Sequence, residues 1–218
     1  MKGLLRNNYY GVIDGAKILL SLFAVMGIAL LISGSSELFI IFALAPATLL
    51  AFNAVSSLRK DASTKWIKYE LTTPVRRKDI IKSRYISHAL WTLIGSFLPF
   101  IFVAFAILIH GNKFFYPEMR DPVACFSAGL SSALFIGVFF YPSVYCLGTE
   151  KNELLLILSL IGAIATTMGI AILLYAGSDA NLTDVEFFIA IVISLAIATA
   201  AYILSYFITT FIYPQKEY

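Results

Sequence analysis

The chain has 218 residues, 60% of them hydrophobic and 13% charged, with a formal net charge of +3 at pH 7 and a mean hydropathy of +0.86. A soluble domain is about one-quarter charged, because it needs a polar shell around its core. The composition excludes a water-soluble globular protein and points to an all-α membrane protein, for which the bilayer is the solvent.

In chain order, the first element is the N-terminal segment 1–16, MKGLLRNNYYGVIDGA. Leu4, Leu5, Tyr9 and Val12 or Ile13 recur at near-helical spacing opposite Arg6, Asn7 and Asn8. The pattern predicts an amphipathic helix lying along the membrane interface before the chain turns inward; the alternative is a polar start to the first span. Six apolar runs of spanning length follow: Lys17 to Ser33, Leu38 to Leu58, Tyr85 to His110, Pro122 to Leu147, Leu154 to Ala176 and Val185 to Tyr213. The last is longer than a bilayer needs, so it is expected to tilt, break or begin at the interface. Cys125 and Cys146 lie near opposite ends of one span, roughly 30 Å apart, too far for a disulfide.

Charge sets the orientation. With the N-terminus inside, Lys2, Arg6, Lys17, the cluster from Arg59 to Arg84, Lys151 and Lys216 are all cytoplasmic, and only Lys113 and Arg120 are outside. The chain is therefore expected to form one transmembrane domain, 1–218, with both termini cytoplasmic. It would carry a long cytoplasmic loop at 59–84 and a second, short one at 148–153, GTEKNE.

What the spans lack narrows the function. Apart from Glu186, next to the first residue of the last run, there is no Asp, Glu, Lys or Arg between their ends, although a membrane enzyme or ion-coupled transporter keeps such groups in the hydrocarbon. His88 and His110 sit about 33 Å apart on one straight helix and cannot share a metal. The chain holds no GxxxxGK[ST] phosphate loop, so it does not draw on nucleotide hydrolysis by itself. Such a bundle is passive, an anchor, or worked by another chain docked on its cytoplasmic face.

The docking candidate is KWIKYELTTPVRRKDIIKSRY, residues 65 to 85. If a helix starts near Ser63, Trp66, Ile67, Glu70 and Leu71 share one face, with Lys65, Lys68, Tyr69 and Thr72 on another. Pro74 restricts Thr73 and ends that helix, and a second basic helix leads into the third span. Trp and Tyr anchor protein interfaces, but aromatics beside basic residues also form membrane-interface belts and hold anionic headgroups. On the residues alone, both readings stand.

The order Asp61, W66-x-x-Y69, L71-x-x-P74-V75, the basic pair Arg77 and Lys78, and I80-I81-x-S83-R84-Y85 resembles the loop of the ABC type 2 permease family, in its short six-span branch. The start MKGLL also looks like that family, whereas Arg76 departs from its pattern, standing where a small polar residue is common. The resemblance implies a permease of a bacterial ABC exporter in the plasma membrane, working as a dimer of identical or related chains. Each chain would bind a cytosolic ABC ATPase that holds ATP and Mg; this chain itself would hold no cofactor or metal and have no catalytic residue.

Carried over, Trp66, Tyr69, Glu70, Leu71, Pro74 and Arg77 form the first coupling contact, and Glu150, Lys151 and Glu153 a second one. The expected cargo is amphipathic or hydrophobic, a peptide, an antibiotic or a lipid-like compound, because a path rich in Phe, Tyr and Leu disfavours ions and sugars. The competing reading is a non-transporting scaffold or immunity protein that binds lipid or a soluble partner, but not nucleic acid, through the same basic loop.

Overall fold

The computed structural model describes residues 2–63, 76–111, 120–148, 151–176 and 183–213, and among the described residues there is no strand. The helices are α1 (Lys2–Ser33), α2 (Ser36–Ser63), α3 (Arg77–His110), α4 (Arg120–Leu147), α5 (Asn152–Ala176) and α6 (Asp184–Ile212). All six are long and apolar enough to cross a membrane. Helix is the only form open to single segments of this kind, since hydrocarbon offers backbone groups no hydrogen-bond partner. The apolar runs end where the sequence pattern places them at Ser33, His110, Leu147 and Ala176.

Two helices differ from expectation, one in its continuity and one at its end. No turn separates an interfacial helix from the first span: α1 is unbroken from Lys2 to Ser33, about 48 Å at the usual rise. Its buried stripe is Leu4, Asn8, Val12 and Ala16, one residue every fourth, so Asn8 belongs to the inward face and not to the polar one. The reason is local pairing: Asn8 Nδ2 donates to Ser83 Oγ at 3.1 Å, and Asn53 Nδ2 donates to the Val12 carbonyl at 3.1 Å. Likewise α2 continues five residues past Leu58, so part of the 59–84 loop is helix, whereas α3 begins at Arg77, where the sequence pattern expects a basic helix leading into the third span. The last helix neither breaks nor starts separately. A reciprocal cap between Thr183 and Glu186 opens α6, which then runs through to Ile212.

α4 is the centre of the bundle, packed against α2, α5 and α6, while α2 also carries α1 and α3. Close backbone approach makes this possible. A Cβ on Gly95 of α3 would stand 2.6 Å from the Pro46 carbonyl oxygen of α2, and one on Gly129 of α4 would stand 3.0 Å from that of Leu44. Only glycine fits these two crossings, which leave α2 gripped on both sides of its proline. Ile18 and Ile32 of α1, Phe97 of α3, Leu173 of α5 and Phe211 of α6 point outward, the surface a lipid-embedded bundle presents.

Candidate functional site

Of the residues assigned to coupling, Trp66, Tyr69, Glu70, Leu71, Pro74 and Glu150 lie outside the described residues; Arg77, Lys151 and Glu153 lie within them. Arg77 opens α3, its guanidinium carbon 5.9 Å from the ring centroid of Tyr213, the residue that closes α6. Lys151 is exposed just before α5. Glu153, in the first turn of α5, pairs with Arg59 of α2 at 2.7 Å, so the end of α2 and the start of α5 touch. Both side chains are more than 60% exposed, and a pair so wet adds little stability.

Where α2 ends and α3 begins lies a polar network that sequence reasoning did not assign. Its outermost link is an ion pair between Asp61, near the end of α2, and Arg84, two turns into α3, at 2.7 Å with side chains only 15% and 4% exposed. The two motif residues that bracket the loop are thus clasped together. Ser83, beside Arg84, accepts from Asn8 of α1 and donates to the Ile80 carbonyl. On the other side of α3, the backbone carbonyl of Arg84 accepts from the Tyr141 hydroxyl of α4 at 3.3 Å, and that of Tyr85 accepts from Tyr202 of α6 at 2.9 Å.

Tyr85 itself reaches α6. Its hydroxyl lies 2.8 Å from Ser205 Oγ and 2.9 Å from Thr209 Oγ1, and its ring sits 4.5 Å from that of Tyr141. His88, one turn further on and fully buried, has Nδ1 2.9 Å from the Tyr202 hydroxyl. Because Tyr202 gives its proton to the Tyr85 carbonyl, His88 must be the donor, which assigns the neutral Nδ1–H tautomer. His88 is therefore a cross-helix tie between α3 and α6. The other histidine does the same at the far end, where His110 Nε2 lies 2.7 Å from the Leu31 carbonyl of α1.

The network contacts α1, α2, α3, α4 and α6 at one level of the bundle. Its ionised groups are the Asp61–Arg84 pair, and the remaining members are neutral hydroxyl, amide and imidazole groups suited to fixing helix positions. Only the S83-R84-Y85 triplet at the mouth of a span, with a carboxylate 23 residues earlier, signalled it in the sequence.

Six helices long and apolar enough to cross a membrane, tied together where α2 ends and α3 begins, make this a multi-pass membrane protein. The family described as ABC-2 family transporter protein matches residues 3–214, nearly the full chain, and the chain belongs to that family. Membership makes it a permease, the membrane component of a transporter and not an enzyme. No curated protein and no solved structure matches the chain.

Proposed function

We propose that the chain is the membrane subunit of a bacterial ABC exporter, driven by a separate cytosolic ATPase that holds ATP and Mg and seats on the 64–75 segment through Trp66, Tyr69, Glu70 and Leu71. Two such chains, identical or related, form the working unit in the plasma membrane with both termini cytoplasmic. The cargo is an amphipathic or hydrophobic peptide, antibiotic or lipid-like compound.

The observation that carries this reading is the buried Asp61–Arg84 clasp in a chain of the ABC-2 family. A loop that moves helices needs a stiff root. Here a load on 64–75 passes into α2 and α3 together, and from Arg84 and Tyr85 into α4 and α6 through Tyr141 and Tyr202. The exposed Arg59–Glu153 pair, which water and salt weaken, can part and re-form as α2 and α5 move, consistent with a second, lighter contact at Glu150, Lys151 and Glu153.

The test is retention of a P-loop ATPase through detergent purification, followed by transport in vesicles. The Trp66→Ala, Glu70→Ala double variant is expected to fold normally and lose ATPase capture or uncouple hydrolysis from export. Transport by the purified chain without nucleotide or a second subunit would refute the reading.

A further inference from the structure

A separate feature lies on the outer side of the seam between α3 and α6. Both helices pack more heavily on other helices than on each other, and a groove of about 360 Å³ runs between them. It is lined by Tyr85, Ile86 and Ala89 of α3 and by Tyr202, Ile203 and Phe207 of α6. Ligand pockets usually enclose about 300–1,000 Å³, so there is room for a ligand. Ile203 and Phe207 are 56% and 61% exposed, so the groove opens sideways onto the surface that meets hydrocarbon.

Two polar side chains, Lys82 and Tyr206, also line it, toward the end marked by Arg77 and Tyr213. Lys82 is exposed, as is Lys78 one turn further out, and neither ammonium has an ion pair or hydrogen bond among the described residues. Asp79, the only carboxylate on α3, pairs with neither lysine. The hydroxyl of the half-buried Tyr206 is likewise without a hydrogen-bond partner among the described residues. Lys82 precedes by three residues, about 4.5 Å, the apolar run that starts at Tyr85, and beyond Arg84 the helix carries no Asp, Glu, Lys or Arg as far as His110. Its ammonium therefore stands at headgroup depth, while Ile86, Ala89 and Ile203 lie at the depth of acyl chains. The other wide groove, between α2 and α5, differs in this respect: Glu153 holds Arg59 at 2.7 Å, and Lys60 Nζ donates to the Gly11 carbonyl at 3.2 Å.

We infer that the α3–α6 groove binds one anionic phospholipid, its phosphate held by Lys82 and the Tyr206 hydroxyl and an acyl chain lying along Ile86, Ala89, Ile203 and Phe207. Charge selects the lipid class. Two lysines against one carboxylate leave an excess of positive charge, which a net negative headgroup offsets; a zwitterionic headgroup brings an ammonium of its own and offsets it less. Depth and shape select a lipid over a free anion, because inorganic phosphate leaves the apolar length of the groove uncovered. A second copy of the chain seated there would strand the Lys82 charge unless it brought a carboxylate to it. The site does not depend on an ATPase partner.

The experiment uses the purified full chain in phosphatidylcholine nanodiscs without nucleotide. Two photoreactive probes are compared, phosphatidylglycerol and phosphatidylcholine, each with a diazirine in one acyl chain. Phosphatidylglycerol is expected to label peptides carrying Ile86, Ala89, Ile203 and Phe207 saturably and in preference to phosphatidylcholine, with no displacement by inorganic phosphate. Lys82→Gln, at an exposed position, should weaken that labelling about fivefold, the worth of one lysine at a membrane surface. Lys151→Gln removes the same charge from another exposed position and should leave it unchanged. Ala89→Phe should fill the groove and abolish saturable labelling there. The inference is overturned if the two lipids label the groove equally, if labelling is no denser there than on outward residues such as Ile18 and Leu173, or if Lys82→Gln acts no more strongly than Lys151→Gln. It is also overturned if inorganic phosphate displaces the probe, or if neither lipid reaches the groove because a second copy covers it.

Discussion

Replacing Asp61 with alanine leaves Arg84, 4% exposed, without the carboxylate 2.7 Å away. Removing one member of a buried pair costs about 3–5 kcal/mol, because the remaining charge is stranded away from water. Asp61 retains 15% exposure, so some water reaches its place and the lower end applies, about 3 kcal/mol, or on the order of a hundredfold in the local opening equilibrium. The effect is confined to the α2–α3 root, where hydrogen exchange in nanodiscs should show faster amide exchange over 59–63 and 77–85 while α5 and α6 keep their protection. Adding Arg84→Met to Asp61→Ala removes the stranded charge, keeps an apolar stem, and should recover most of the loss. If Asp61→Ala costs less than about 0.5 kcal/mol, or if the two substitutions simply add, the pair behaves like a surface salt bridge and the stiff root is refuted.

Glu153→Gln breaks a pair whose members are both largely exposed, so thermal stability in detergent should fall by less than about 1 kcal/mol; any transport defect in that variant then reports on coupling and not on folding. Gly95→Ala puts a methyl 2.6 Å from the Pro46 carbonyl and should cost about 1–3 kcal/mol by thermal unfolding, with Gly129→Ala, at 3.0 Å, the milder of the two. Tyr202→Phe removes the hydroxyl that joins His88 to the Tyr85 carbonyl, leaving both without it; about 1–3 kcal/mol of stability should be lost, where Tyr10→Phe at the exposed N-terminal turn changes little. Equal losses for Tyr202→Phe and Tyr10→Phe would remove the network's claim to hold α3 against α6.

The spans were readable because a bilayer imposes a hard boundary on a one-dimensional pattern: an apolar run must stop where water begins, and Ser33, His110, Leu147 and Ala176 are such stops. The continuity of α1 and the end of α2 were not readable in this way. Outside the hydrocarbon a helix may carry polar residues on any face, and its continuation is decided by neighbours, as Ser83 decides the place of Asn8. The same limit applied to the candidate site. The loop motif marked the segment but did not say what the bracketing residues do.

By itself, then, the order of amino acids determined the solvent, the number of crossings, the family-like loop and the lack of charge within the membrane, all of which follow from local composition and spacing. Only the folded bundle decided that Asp61 meets Arg84 and that His88 meets Tyr202. These are meetings between residues far apart in the chain. Their geometry depends on how helices cross, which is set by the backbone approaches at Gly95 and Gly129 and is invisible to any single stretch of sequence.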